Sequence, residues 1–311
     1  MRKEEFYFDS RDGKSKVFAV RYTPDGDNVT GILQIIHGMA EHIERYEEFA
    51  QYMTDNGYVV VGECHLGHGK TVGEEGQRGF FCSKDPATVV VRDAHRLKKL
   101  TQELYPGVPY FILGHSMGSF ILRNYIGRYG SGIQGAIIMG TGLLPGALVK
   151  VSKLLAAAQK LFCGEKCVSK FIDSVAFGTY CGKISNPRTR FDWLTKDEAI
   201  VDKYIADPDC GFTFTVNGFQ TLFEVIDRMS KKEYLQAIPK NLPLFFVSGD
   251  ADPVGDYGKG VVAAYKLYQD LGIADVTMKL YENDRHEILN ETDNHLVMED
   301  ILGWLERHVR A

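Results

Sequence analysis

The chain has 311 residues, 44% of them apolar and 25% charged, with a formal charge of −5. That composition is enough for one large core carrying an insertion, and such a core needs no disulfide or metal to hold it. It excludes a general electrostatic attraction to nucleic acid, and no Lys/Arg-rich run supplies a local one.

The N-terminal MRKEEFYFDS follows two basic residues with acids and a strand-like stretch, which argues against a secretory signal. KVFAVRYT and GILQIIHG read as early strands, and YEEFAQYMTDNG as a helix stopped by Gly57. YVVVGE is the next strand. DPATVVVRDAHRLKKLTQELYPG is a helix with Asp85 as its N-cap, Pro86 in its first turn and Gly107 past its end. PYFILGH, a helix from about Met117 and QGAIIMG complete this half. Near-continuous apolar strands separated by helices predict a mostly parallel sheet with helices on both faces. The rhythm breaks after about Thr141, and 142–234 reads as a helical insertion. It resumes with PLFFVSGD, a helix from about Tyr257 to Leu271, DVTMKLY and a helix from about Asp293 to Val309. The expected core is therefore 1–141 with 235–311. No stretch approaches the roughly 18 apolar residues of a membrane span, so the expected compartment is the cytoplasm. A cytoplasmic chain keeps its cysteines as free thiols, read here as small buried hydrophobes. The run CGEKC (Cys163, Cys167) lacks the second pair a structural zinc site needs, and no metal is expected.

The chemistry centres on FILGHSMGS. Gly114-His115-Ser116-Met117-Gly118 is G-x-S-x-G, a weak signal in a chain with 32 Gly, but here a strand precedes it and a helix start follows. A serine on a sharp strand-to-helix turn leaves no room for side chains two residues to either side. Such a nucleophile needs a base and an orienting acid, later in the chain in the order Ser, Asp/Glu, His. YENDRHEILNE offers His286 after one late strand. FFVSGDADPVGD offers Asp250, Asp252 and Asp256 after the strand before it, and spacing does not choose among them. The amides of Met39, after the strand ending QIIHG, and of Met117 would bind the oxyanion.

HGMAEHIERY, HLGHGKT, GHSMGS, SGDADPVGD and DRHEILNE together resemble the monoacylglycerol lipase and lysophospholipase group of α/β-hydrolases, over nearly the whole chain. The resemblance implies the α/β-hydrolase fold, a helical cap over the site, no cofactor, and hydrolysis of single-chain acyl esters. It implies Asp252 as the acid and sets Glu41, Arg45 and His115 near the alcohol end of the substrate. One departure is Cys64-His65, where the family often has Asp-His; a thiol is the weaker hydrogen-bonding support for the oxyanion loop.

The Leu/Ala-rich segment from Leu143 to Phe162 is the expected wall of an acyl channel, with Leu154 and Leu155 on its apolar face. Lys150 and Lys153 require another side to reach water or lipid headgroups, so peripheral membrane contact through the cap is expected too. The rival readings are a serine aminopeptidase, which would need a cap acid such as Asp197, Glu198 or Asp202 to hold the substrate ammonium, an acyltransferase, and a non-catalytic receptor on the same scaffold. Oligomeric state is not legible in the sequence.

Overall fold

The computed structural model describes every residue except Asp27, Glu75, Arg310 and Ala311. Its strands are β1 (Arg2–Asp9), β2 (Lys16–Thr23), β3 (Gly31–Ile36), β4 (Tyr58–Glu63), β5 (Tyr110–His115), β6 (Gly135–Met139), β7 (Leu244–Gly249) and β8 (Val276–Tyr281). They form one eight-stranded sheet in the order β1-β2-β4-β3-β5-β6-β7-β8. β2 runs antiparallel to β1 and β4, and all pairings from β4 to β8 are parallel. This is the α/β-hydrolase fold.

The helices are α1 (Glu47–Asp55), α2 (Pro86–Leu104), α3 (Met117–Tyr129), α4 (Gly146–Cys163), α5 (Lys170–Phe177), α6 (Glu198–Ala206), α7 (Val216–Arg228), α8 (Lys232–Gln236), α9 (Lys259–Asp270) and α10 (Asn294–Val309). Side chains alternate across the sheet, so neighbours in one strand enter different cores. Ile32, Ile112 and Leu244 pack with Leu97 of α2, Leu122 of α3 and Val261 of α9. Leu33, Phe111 and Phe245 pack with Phe49 of α1 and Trp304 of α10. Covering both faces is why β3 to β7 are buried at every position.

Two local expectations change. Asp85 does precede α2, but it sits in the left-handed region (φ 44°) and its side chain makes no capping bond. Its carboxylate instead accepts from Arg228 Nη2 at 2.9 Å, so an ion pair to α7 replaced the cap. The helix expected from Tyr257 starts at Lys259, because Asp256, Tyr257 and Gly258 all have positive φ (47°, 54° and 83°), which an α-helix does not admit.

Helices α4 to α8 lie between β6 and β7. α7 is rooted in the sheet-side core through Phe219, Leu222 and Val225. α4 rests on α7, where Lys153 pairs with Glu224 at 2.7 Å and Asp227 at 2.6 Å. The cysteines are all free; Cys64, Cys82 and Cys210 are buried as expected, but Cys163 is exposed and Cys167 and Cys181 are half-buried. Cys163 is the last residue of α4 and follows the exposed Leu161 and Phe162. No described helix is long and apolar enough to cross a membrane.

Candidate active site

The loops after β3, β5, β6, β7 and β8 meet at the C-terminal edge of the parallel strands, where open α/β sheets bind ligands. Ser116 sits between β5 and α3 at φ 54°, ψ −120°, a conformation side-chain-bearing residues seldom hold. The flanking glycines make it possible. A Cβ on Gly114 would lie 2.4 Å from the Gly118 carbonyl oxygen, and one on Gly118 would lie 1.9 Å from that of Ile36. The turn is held by the Ser116 N–H, which donates to Met139 of β6 at 3.0 Å.

His286 follows β8, and its Nδ1 is 2.9 Å from Asp252 Oδ2; the two residues are 2% and 0% exposed. The other Asp252 oxygen accepts the Val254 N–H at 2.8 Å. Among the three loop aspartates, Asp252 is the one bonded to His286. Asp250 accepts from the Asn283 N–H at 2.7 Å and so holds the loop after β8. Asp256 is exposed in a left-handed turn. Gly249 lets the two loops close on each other, since a Cβ there would come within 2.0 Å of the Asp284 carbonyl oxygen. Ser116 and His286 line one cavity, together with Met39, Met117, Glu41 and His115. Met117 is the first residue of α3, so its N–H has no acceptor within the helix.

The loop carrying Met39 rests on a histidine cluster that sequence reading missed. His37 Nε2 accepts the His65 N–H at 3.1 Å, its Nδ1 donates to the Gly38 carbonyl at 2.8 Å, and the His37 and His65 rings lie 4.1 Å apart. Burial pushes His37 well down, His65 to about 4 and His68 to about 3, so all three are neutral at physiological pH. This cluster does the supporting work for which a thiol is poorly suited. Cys64 is buried with its thiol pushed up to about 12 by desolvation. The HLGHG spacing was a visible signal, but only folding brings His37 to it.

Glu41 is the hub of the polar end. Oε1 accepts the Gly38 N–H at 2.5 Å and the Tyr46 hydroxyl at 2.9 Å, and lies 3.2 Å from His115 Nδ1; Oε2 accepts from Arg45 at 2.7 Å. Burial works against its charge, but the His115 bond and Arg45 outweigh it and hold the carboxyl well below its usual range. Burial likewise opposes charging of His115, yet Glu41 raises its pKa; Nδ1 faces Glu41 and Nε2 lies 3.3 Å from the His286 carbonyl oxygen, an acceptor for each ring N–H. Arg45 also grips Glu287 in a bidentate pair at 2.7 and 2.6 Å. Glu287, adjacent to His286 in sequence, lines the cavity and was overlooked.

Two expected substrate contacts need correction. Arg45 does not line the cavity; it lies behind Glu41 and Glu287, stacked on Tyr204 at 4.8 Å, because those carboxylates hold it there. Leu154 does not line it either and is 70% exposed, whereas Leu155 does line it with Leu148, Val149 and Ser152. One residue along a helix turns a side chain by about 100°, enough to move it from channel wall to outer surface. The cavity of about 1090 Å³ is otherwise walled by Leu143, Ile172, Phe177, Leu222 and Phe223. Trp193 covers His286 with ring centres 5.0 Å apart, and its carbonyl accepts the His286 N–H at 3.4 Å. Asp197 caps α6, and Glu198 and Asp202 pair with Arg188, so none of these acids reaches the cavity.

The family model described as serine aminopeptidase, S33 (Hydrolase_4) matches residues 27–293. A monoacylglycerol lipase of Mycolicibacterium smegmatis is 27% identical, over 93% of this chain and 92% of its own. The monoglyceride lipase of Rattus norvegicus is 26% identical, over 93% and 86%. The crystal structure of a thermostable carboxyl esterase from Bacillus coagulans, in complex with glycerol, is 34% identical over 99% of both chains with a TM-score of 0.90. With that coverage, the chain belongs to the Hydrolase_4 family of α/β-hydrolases and is a serine ester hydrolase.

Proposed function

We propose that the protein hydrolyses single-chain acyl esters of the monoacylglycerol type through an acyl-enzyme on Ser116. The carrying observation is the cavity itself, a long apolar chamber that meets a fully paired polar network beside Ser116 and His286. An acyl tail of one chain suits the apolar wall, and a polyol suits the other end. There Arg45 is shared between Glu41 and Glu287, and Glu41 also lies against His115. These groups are bonded to one another and to the Tyr46 hydroxyl, a set of donors and acceptors of the kind that hydroxyls match. The lipases and the glycerol-bound esterase to which the chain is similar point the same way.

In this reading Ser116 Oγ attacks the ester carbonyl while His286 Nε2 takes its proton. Asp252 keeps the proton on Nδ1 and stabilises the imidazolium. The Met39 and Met117 N–H groups donate to the developing oxyanion. His286 then returns the proton to the leaving alcohol, and water repeats the sequence to release the acid. No cofactor is required. Residues 142–234 act as the cap over a core of 1–141 and 235–311. The exposed apolar side chains of Val151, Leu154, Leu161 and Phe162 on α4, and of Phe171 and Val175 on α5, support docking of that cap on a lipid surface.

The test is a hydrolysis panel of monoacylglycerols of rising chain length, lysophospholipids, acetyl aryl esters and aminoacyl amides, with Ser116→Ala as control. Monoacylglycerols should lead, with kcat/KM rising with chain length. Preference for aminoacyl amides, or a flat chain-length profile, overturns the assignment.

A further inference from the structure

Beside the cavity, one cluster of side chains has no part in the proposed hydrolysis. His42, Asp207 and Cys210 each bring one donor atom to the same place, all three atoms lying within 4.8 Å of one another. His42 is on the loop that carries Met39. Asp207 and Cys210 are on the turn that ends α6 in the insertion. We propose that these three residues bind a thiophilic divalent cation, zinc above all, and that the cation clamps the cap to the loop bearing Met39.

The donor set is imidazole nitrogen, carboxylate oxygen and sulfur, which suits zinc and excludes magnesium and calcium, whose ligands are all oxygen. Tetrahedral zinc holds such donors roughly 3.3–3.7 Å apart. His42 Nε2 and Asp207 Oδ2 are now 2.9 Å apart, so about half an ångström of opening between them, with Cys210 Sγ closing by roughly 1 Å, makes the site. The remaining atoms are already arranged for it. The second Asp207 oxygen is fixed by the Asp209 N–H at 2.8 Å, and the other ring nitrogen of His42 is 4.0 Å from Glu44, in the direction from which carboxylates orient metal-bound histidines. Neighbouring cations are spoken for. Arg45 is shared between Glu41 and Glu287, and Arg78 pairs with Asp209 at 2.6 Å. Asp207 is about one-third exposed, leaving the fourth position to water. On binding, the Cys210 thiol gives up its proton to solvent and the thiolate takes the metal. The same turn is stitched to the loop already, since Gly211 N–H and the Tyr204 hydroxyl both donate to the Ala40 carbonyl at 3.0 Å. A cation there would add a stronger link across the seam.

The experiment uses the full chain with Cys163→Ser and Cys167→Ser, which removes the exposed pair as a competing site. Cobalt(II) is titrated as a spectroscopic probe. The expected result is one equivalent bound with a thiolate charge-transfer band and visible tetrahedral bands, all lost in a further Cys210→Ser variant. Zinc at a hundredfold excess over its Kd should raise the melting temperature by roughly 4 °C, and by less than 1 °C with Cys210→Ser or His42→Gln. Acetyl ester turnover without metal should be unchanged by Cys210→Ser, which shows that this variant folds. Absence of the charge-transfer band in the parent, or its persistence in Cys210→Ser, overturns the proposal and leaves His42–Asp207 as a plain hydrogen bond.

Discussion

The floor and the roof of the cavity are built on different principles. The floor is made of strand-end loops pressed together so closely that Gly114, Gly118 and Gly249 have no room for a Cβ. Its carboxylates are buried and paired, as Glu41 and Glu287 show in sharing Arg45. The roof is helical, and its outer side leaves Phe162 90% exposed and Leu161 88% exposed. A floor of this kind allows little variation, because each loop is a wall for the next. A roof of this kind is constrained on the side that faces the cavity and free on the other.

The largest effects should come from the floor. Ser116→Ala should cut kcat for every ester by about 10⁴-fold or more while the protein remains folded, since triad members act as a unit. Turnover within tenfold of wild type would remove Ser116 as nucleophile. Asp252→Asn should follow, with a loss of about 10³–10⁴-fold on short and long esters alike, because the wrong tautomer of His286 is then favoured. Asp250→Asn and Asp256→Asn should each cost less than about tenfold. If either matches Asp252→Asn, the observed hydrogen bond to His286 is not the one that matters in turnover.

The roof should separate substrates rather than abolish chemistry. Leu155→Glu places a charge on the channel wall and should lower kcat/KM for long-chain esters by about tenfold or more, with acetyl esters changed much less. Leu154→Glu, one residue away on the outer surface, should leave soluble substrates unaffected and weaken binding to lipid vesicles. Equal behaviour of the two variants on soluble long-chain esters would contradict the helix orientation described above.

The smallest effect concerns stability beneath the floor. Burial pushes the Glu63 carboxyl from 4.5 up to about 8, beside Gln34 in the core. A carboxyl whose folded pKa is raised gives its full contribution below pH 4.5 and loses it as pH climbs through 8. Glu63→Gln should therefore gain about 1–3 kcal/mol on wild type between pH 5 and pH 8.5 in denaturant melts. A difference that does not change with pH would mean that Glu63 is ionised in the fold.

Much of the floor was legible because local constraints write it into short runs. Strand, sharp turn and helix start fit within FILGHSMGS, and the βα alternation fixes that Ser116 and His286 emerge at the same edge of the sheet. Asp252 was legible only with help from resemblance: three aspartates within one loop differ in direction, not in chemistry. Arg45, set near the alcohol end by resemblance, and Leu154, set on the channel wall by residue type, differ from those readings in orientation, one lying behind the wall and one outside it.

Chain order and apolar periodicity thus determined the fold, the nucleophile turn and the identity of the base, since each depends on residues close in sequence. Which aspartate meets His286, how His37, His65 and His68 support the Met39 loop, and which face of α4 enters the cavity were decided by the tertiary structure. Each of these is a direction in space set by packing between segments far apart in the chain. So is the meeting of His42 with Asp207 and Cys210, 165 residues apart at the His42–Asp207 contact, which no spacing along the sequence announces.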